Sequence, residues 1–120
     1  MTLKMEHSCI CVSDLERSRK FYETALQLVE RRRKESDDRH ILFMGSDLVP
    51  HQIEIIQMKE RQAPWALGEN PTHLAFRADD IAAAMAFHKE LGCFHHELPA
   101  FGVYFIADPD GYLCEIMPTR

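Results

Sequence analysis

The chain has 120 residues, of which 46 % are hydrophobic and 28 % are charged, and its formal net charge is −5. This length and composition predict a single globular domain and exclude both a disordered chain and a continuous apolar membrane span. The negative charge argues against a nucleic acid partner, and the basic run 31–33, which acidic residues follow at once, is interpreted as a solvated strand end.

The amino terminus and the cysteines indicate the compartment. The first residues, MTLKMEHS, have neither the apolar core nor the cleavage-site pattern of a secretory signal, which predicts a cytoplasmic protein without a membrane partner. The four cysteines lie in apolar stretches and form no C-x-x-C pair, which favours reduced, buried thiols over disulfides. These cysteines are Cys9, Cys11, Cys93 and Cys114.

The first half of the chain predicts a strand, a helix and three further strands. Residues 6–12 are typical of a short strand, and residues 13–26 carry apolar side chains at helical spacing. Ser13 and Glu16 match the N-cap and the third helical position of a capping box. Strand-like segments follow around residues 27–33, 40–44 and 51–58.

A polar segment, residues 59–71, contains two prolines and a glycine and is interpreted as a linker. The same order of elements then begins again, with a strand over 72–78 and a helix that Asp79 or Asp80 caps. The strands that follow are predicted near residues 93–97, 101–107 and 112–117. The sequence thus predicts an α+β fold of two βαβββ modules, about residues 4–58 and about 72–118.

A shift of 66 residues superimposes parts of the two modules. It places a strand histidine, a residue at a helix start and a helix core aromatic of one half on the same residue type in the other. Each half also ends with a glutamate in an apolar strand. The matched residues are His7 and His73, Asp14 and Asp80, Phe21 and Phe87, and the two glutamates Glu54 and Glu115.

Two histidines and two glutamates at matching places predict a metal site. A lone glutamate in such a strand is ordinarily on a wet face, and a lone strand histidine is ordinarily hydrogen-bonded in a core. The recurrence of all four favours ligands, because two imidazoles and two carboxylates suit one divalent Ni, Co, Zn, Mn or Fe ion with open positions. The predicted ligands are His7, Glu54, His73 and Glu115, whereas ordinary structural roles are expected for His40, His51, His88, His95 and His96.

Four segments resemble the glyoxalase I / vicinal oxygen chelate superfamily, which includes glyoxalase, bleomycin resistance and dioxygenase proteins. HSCICVSDLERSRKFY is similar to its opening segment, and DPDGYLCEI is similar to its closing segment. QIEII and THLAF resemble the segments that carry the first glutamate and the second histidine. The resemblance implies a single vicinal oxygen chelate domain over residues 1–120, with paired modules curled into a cup around a metal that the same four residues hold.

With glutamate at position 54, the set of two histidines and two glutamates resembles that of glyoxalase I in particular. Ring-cleaving dioxygenases and fosfomycin-modifying relatives typically use two histidines and only one glutamate. The resemblance implies a lyase or isomerase of the lactoylglutathione lyase kind. It would convert a methylglyoxal–thiol hemithioacetal, or a related α-hydroxycarbonyl compound, through an enediolate. Glu115 is implied as the catalytic base, with Glu54 as a ligand or as the group that acts on the opposite face. A homodimer is also implied, with His7 and Glu54 of one subunit meeting His73 and Glu115 of its mate.

The chain departs from glutathione-using members of the superfamily at two positions. Cys11 stands where they have an arginine for the glutamyl carboxylate, and Met58 stands where they have an asparagine. We therefore expect weak use of glutathione, with Arg77 as a candidate replacement cation. The alternative functions are another enzyme of the superfamily, such as an epimerase or a ring-cleaving dioxygenase, and a protein that binds a small apolar molecule. The binding protein would use Trp65, Phe101 and Tyr104.

Overall fold

The computed structural model describes residues 1–120, which form eight strands, two α-helices and one short 3-10 helix. The chain divides into two compact units, Met1–Ala66 and Leu67–Arg120. Each unit has the element order βαβββ and one four-stranded sheet, which confirms the predicted α+β fold of two modules. None of the helices has the length and apolarity that a bilayer span requires.

In unit 1 the outer strand β1 pairs parallel with β4, and β4, β3 and β2 are joined antiparallel in the order β1-β4-β3-β2. The helix follows β1 directly, which gives the crossover that a parallel pair needs. The elements of unit 1 are β1 (His7–Cys11), α1 (Leu15–Leu26), β2 (Val29–Glu35), β3 (Arg39–Gly45) and β4 (Gln52–Met58).

Unit 2 repeats this topology in the order β5-β8-β7-β6, again with a parallel pair between its first and last strands. A 3-10 helix over Pro99–Phe101, which the sequence did not predict, joins β6 to β7. The elements of unit 2 are β5 (Leu74–Ala78), α2 (Ile81–Leu91), β6 (Phe94–Leu98), β7 (Val103–Ala107) and β8 (Leu113–Pro118).

Helix α1 covers one face of its sheet. Leu42 and Ile55, which are completely buried, alternate along their strands with Phe43 and Glu54 on the other face. The Gln57 side-chain oxygen accepts a hydrogen bond of 2.7 Å from the Leu15 backbone N–H, which ties the helix start to the same face of β4. The helix face thus holds the core, and each buried aliphatic side chain stabilises it by about 1.5–3 kcal/mol.

The helix starts correct one prediction and settle another. Asp14, not Ser13, is the N-cap of α1, because its carboxylate accepts a hydrogen bond of 3.1 Å from the backbone N–H of Arg17. Asp80 caps α2 in the same way through Ala83, which decides between the two aspartates considered from the sequence. Both caps satisfy a backbone donor that the first turn leaves open.

The aromatic residues inside the helices also differ from the prediction. Phe21 is only half-buried and Phe87 is exposed, whereas Tyr22 and His88, one residue later in each helix, are buried. The Nδ1 atom of His88 and the hydroxyl of Tyr104 are hydrogen-bonded at 2.7 Å within the core of unit 2. The 66-residue repeat therefore relates the buried residues Tyr22 and His88, each of which follows the phenylalanine that was predicted to lie in the helix core.

A tight turn sets the position of β8. Both Asp110 and Tyr112 donate backbone hydrogen bonds of 2.9 Å to the Asp108 carboxylate, and Gly111 adopts a positive φ of 93°. A side chain at this φ would strain the backbone, which is the physical reason for glycine here. The turn fixes the start of the strand that carries Glu115.

All four cysteines are free, and only Cys114 is buried. The prediction that all of the thiols are buried is therefore wrong. Cys9 and Cys11 lie on the face of the sheet opposite to α1, which the helix does not cover.

Candidate metal centre

One histidine–glutamate pair lies on the open face of unit 1. Glu54 is the register partner of both Cys9 in β1 and Phe43 in β3, so it sits in the centre of the sheet. Its Oε1 atom is 3.7 Å from Nε2 of His7, at the start of β1, and its side chain is 18 % exposed. The edge of the His7 ring meets the Phe43 ring at a centroid distance of 5.4 Å. We call the sheet face that carries Glu54, and its counterpart with Glu115 in unit 2, the open face.

The other ring nitrogen of His7 already has a partner. Nδ1 is hydrogen-bonded to the carboxylate of Glu6, and this bond holds the pKa of the Glu6 carboxyl below its usual range. Histidines that bind metals characteristically donate their second N–H to a carboxylate or a carbonyl, which fixes the ring orientation and the tautomer. Glu6 thus places the Nε2 atom of His7 toward Glu54.

Unit 2 has an equivalent histidine–glutamate pair, whose neighbouring residues differ from those in unit 1. His73, which directly precedes β5, has its Nε2 atom 3.2 Å from Oε1 of Glu115, whose side chain is 20 % exposed. Its Nδ1 atom is 3.0 Å from the carbonyl oxygen of Pro71. Phe105 is the register partner of Glu115 and meets the His73 ring edge-on at 5.1 Å. Each unit therefore presents histidine, glutamate and phenylalanine in the same relation.

The hydrogen bonds at Nδ1 decide what the Nε2 atoms can bind. A carbonyl oxygen only accepts hydrogen bonds, so the Nδ1 atom of His73 is the donor to Pro71. The Nε2 atom is the ring nitrogen that faces a carboxylate oxygen of Glu115. A histidine whose Nδ1 is hydrogen-bonded in this way can offer Nε2 to a metal ion.

The structure brings the four predicted ligands together as two pairs. His7 meets Glu54 within unit 1, and His73 meets Glu115 within unit 2. No group of three or more histidine, cysteine, aspartate or glutamate side chains is assembled that could hold a metal ion. Each pair supplies one imidazole nitrogen and one carboxylate oxygen, so the donor chemistry of each pair fits half of the predicted set of ligands.

The remaining histidines all have other partners. His51 is hydrogen-bonded to the Ser8 hydroxyl at 3.0 Å, and His40 lies 2.6 Å from the Glu35 carboxylate. His95 and His96 contact each other through their Nδ1 atoms at 2.7 Å. None of these contacts involves one of the four predicted ligands.

Cys9 lies beside Glu54 on the open face of unit 1. Partial burial, together with the neighbouring Glu54 carboxylate, raises the pKa of the Cys9 thiol to about 12. Without a bound cation the thiol is therefore a poor nucleophile at neutral pH.

The aromatic residues considered for an apolar binding site do not form one. Tyr104 is fully buried on the helix face of β7, opposite to Phe105 and Glu115, because adjacent residues of a strand face opposite sides of a sheet. The Trp65 ring is covered by the guanidinium of Arg61 at 3.8 Å. Phe101, in the 3-10 helix, is 76 % exposed.

The positions that distinguish this chain from glutathione-using relatives lie on the open faces. Cys11 is two residues beyond Cys9 along β1, and Met58 pairs with Arg39 at the end of β4. Arg77, the candidate replacement cation in unit 2, is exposed and donates a hydrogen bond of 2.8 Å to the carbonyl oxygen of Pro118.

Two further residues contact His7 and were not identified from the sequence. Glu6 and Phe43 have no motif of their own and become recognisable only through these contacts.

Comparison with known proteins agrees with this architecture. The family model described as the Glyoxalase/Bleomycin resistance protein/Dioxygenase superfamily matches residues 6–105. No curated protein sequence matches the chain.

Among solved structures, the trypanothione-dependent glyoxalase I of Leishmania major is 24 % identical with a TM-score of 0.87, over 98 % of this chain and 87 % of that one. Glyoxalase I from Zea mays is 24 % identical with a TM-score of 0.83, over 94 % of this chain and 43 % of that one, so this chain spans less than half of the maize protein. A third structure is a variant of the fosfomycin resistance protein FosX from Listeria monocytogenes, complexed with Mn(II) and a dihydroxypropylphosphonic acid. It is 19 % identical with a TM-score of 0.78, over 100 % of this chain and 95 % of that one. At these identities the structures show a shared fold. With the family model covering most of its length, the chain belongs to the glyoxalase/bleomycin resistance protein/dioxygenase superfamily.

Proposed function

We propose that this protein is a metal-dependent isomerase of the glyoxalase I kind, in which His7, Glu54, His73 and Glu115 together hold one divalent metal ion. Its substrate is a hemithioacetal of methylglyoxal and a small thiol, or a related α-hydroxycarbonyl compound. The observation that carries the proposal is the repeated pair, in which Nδ1 is occupied by an acceptor and Nε2 faces a glutamate oxygen. A hydrogen-bonded Nδ1 with Nε2 left for a cation is the arrangement that metal-binding histidines use.

The solved relatives support a metal in this fold. The FosX variant is complexed with Mn(II) and with a small molecule that has two neighbouring hydroxyl groups. The four residues proposed here offer two imidazole nitrogens and two carboxylates, a set that suits Ni, Co, Zn, Mn or Fe. Other chemistries of the superfamily, epimerisation and ring cleavage, are the alternatives that a turnover assay separates.

In the proposed reaction a proton moves between two neighbouring substrate carbons. When bound, the metal supplies a Lewis acid that stabilises negative charge on the substrate oxygens, an effect of several kcal/mol. The carboxylate of Glu115 takes the proton from the carbon next to the carbonyl and returns it to the former carbonyl carbon. The hydroxyl proton passes to the oxygen of that carbon, so the thioester has the same composition as the hemithioacetal. Glu54 remains with His7 and completes the set of ligands. Phe43 and Phe105 provide an apolar floor beside each glutamate, which limits access of water to the transferred proton.

A protein that only binds an apolar molecule is not favoured by the structure. Its candidate aromatic residues are buried, covered by an arginine or located in the 3-10 helix, as described above. Binding of metal by the purified protein separates the two functions directly.

The proposed substrate class can be tested by comparing hemithioacetals that are formed from different thiols. We expect the hemithioacetals of cysteinylglycine and of a simple alkyl thiol to be isomerised more efficiently than that of glutathione, by roughly a hundredfold in kcat/KM. The reason is that Cys11 and Met58 leave the glutamyl carboxylate of glutathione without a cation. The measurement is the rate of thioester formation for each adduct, in wild type and in Cys11→Arg. Efficient turnover of the glutathione adduct by wild type would contradict the prediction, whereas a gain in Cys11→Arg for glutathione alone would support it.

We also expect the active form to be a homodimer whose subunits share ligands. A single βαβββ module has one uncovered sheet face, which a second module can cover. The proposal pairs His7 and Glu54 of one subunit with His73 and Glu115 of the other. Sedimentation of the purified protein measures the oligomeric state.

Sharing of ligands has its own test. Inactive variants His7→Ala and His73→Ala are unfolded, mixed in equal amounts and refolded together. With shared sites, each mixed dimer regains one complete site and one empty site, so random assembly restores about a quarter of the wild-type metal content. Metal content that stays at the level of the separate variants contradicts sharing.

A further inference from the structure

Four consecutive basic residues form the middle of β2, in the sequence VERRRKE. The pairing of β2 with β3 shifts between Glu30 and Arg32, so Arg31 is an extra residue without a partner in the register. Such a bulge changes which alternate residues share a face. Beyond the bulge, Arg32 pairs with Phe43 and Lys34 pairs with Ile41.

Two of the four cations are neutralised by carboxylates. Arg31 forms an ion pair of 2.7 Å with Asp47. Arg33 forms ion pairs of 2.7 Å with Glu30 in its own strand and with Glu16 in α1, which places Arg33 on the helix face. These two arginines therefore have structural roles at the surface of unit 1.

The other two cations lie on the open face without an ion pair. The Arg32 guanidinium stacks over the Phe43 ring at 4.1 Å from its centroid, and the Lys34 ammonium is 6.0 Å from the same centroid. Neither side chain forms a salt bridge with a carboxylate. The hydrogen bond from His7 is the main cause that lowers the pKa of the Glu6 carboxyl, and the charge of Arg32 lowers it at longer range.

The phenyl ring of Phe43 connects these cations to the proposed metal ligands. One side of Phe43 meets the His7 ring, its backbone pairs with that of Glu54, and Arg32 covers its ring. Two positive charges thus stand one aromatic ring away from the His7–Glu54 pair, in a chain whose net charge is −5. A fixed cation beside a half-buried site attracts anions and orients them.

The equivalent place in unit 2 has a different residue. His96 pairs with Phe105 and stacks on its ring at 4.7 Å with an interplanar angle of 3°. A bulge precedes His96 just as one precedes Arg32, so the two positions correspond in the repeated topology. Only unit 1 combines a guanidinium and an ammonium at this place.

We propose that Arg32 and Lys34 bind a carboxylate of the substrate, so that the preferred substrate is the adduct of a small anionic thiol. This inference rests on the proposed function and specifies the substrate class of the same site. Arginine binds a carboxylate through two parallel N–H donors, and lysine adds a compact charge. Glutathione satisfies this site less well, because its second carboxylate has no partner at Cys11.

The test measures binding, separately from turnover. The probes are the thioester S-lactoyl-3-mercaptopropionate and its neutral amide, which differ only in the carboxylate. Dissociation constants are measured by NMR titration of the protein with and without added zinc. We expect wild type to bind the carboxylate about tenfold more tightly than the amide. The double variant Arg32→Gln/Lys34→Gln is expected to bind both probes equally.

The neighbouring arginines provide matched controls. Arg31→Gln and Arg33→Gln remove one charge each from the same strand, and both should retain the preference for the carboxylate. A preference that persists in the double variant, or that is lost equally in the controls, would overturn the inference. Thermal unfolding and metal content of the double variant establish that it is folded. If wild type neither binds metal nor turns over any adduct, the proposed function is rejected instead. The ratio of the dissociation constants of the two probes can still be measured without metal, so the two failures are distinguishable.

Discussion

Purified protein is expected to bind about one divalent metal ion per chain, and His7→Ala and His73→Ala are each expected to lose most of it. Removal of an outer-shell partner of a metal site typically lowers affinity by 10- to 100-fold, so removal of a ligand itself should cost roughly this or more. The measurement is elemental analysis after dialysis, followed by competition with a chelator for the variants that retain metal. Because the proposal places both His–Glu pairs on one ion, both variants should lose metal to a similar extent.

A matched control lies in the same unit. His40 and Glu35 also form a histidine–carboxylate pair, with 2.6 Å between Nδ1 and Oε1, outside the proposed site. His40→Ala and Glu35→Gln should therefore retain full metal content. Undiminished metal in both His7→Ala and His73→Ala would reject the assignment of the ligands.

Glu115→Gln, assayed at saturating metal, is expected to lower kcat by about 10²- to 10⁴-fold, the usual contribution of a general base. Glutamine keeps the size of the side chain and one oxygen for the metal but removes the group that accepts the proton. Turnover is followed as thioester formation from methylglyoxal and the best thiol of the series. Metal affinity is measured in parallel, so that loss of chemistry and loss of metal are separated.

Glu54→Gln is the matched comparison for this variant, because Glu54 occupies the same place in the other unit. We expect its metal affinity to fall while kcat at saturating metal falls less than in Glu115→Gln. If Glu115→Gln retains the kcat of wild type at saturating metal, Glu115 is not the base. A larger loss of kcat in Glu54→Gln would transfer that role to Glu54.

The sequence alone predicted the repeated βαβββ order, because periodicity, caps and turn residues are local properties of the chain. The spacing of the helices and strands agrees with the structure to within a few residues in both units. The sequence also predicted which histidines and glutamates are the candidate ligands, since carboxylates in apolar strands are unusual and these recur in both halves. Inside the helices the errors were of one residue, at the cap Asp14 and the buried aromatic Tyr22. The prediction of buried thiols was wrong for three of the four cysteines, and the 3-10 helix Pro99–Phe101 was not predicted.

The tertiary structure decided which side chains share a face. Counting alternate residues from Val29 would place Arg31 and Arg33 beside Phe43, but the bulge at Arg31 places Arg32 and Lys34 there instead. A bulge depends on the pairing of β2 with β3, and nothing local in a run of basic residues marks it. In the same way, the contacts of His7 with Glu6 and Phe43 arise from side-chain direction and from strands that are distant along the chain. The residue types were therefore evident from the sequence, whereas the contacts that they make within each unit were set by strand register and side-chain direction.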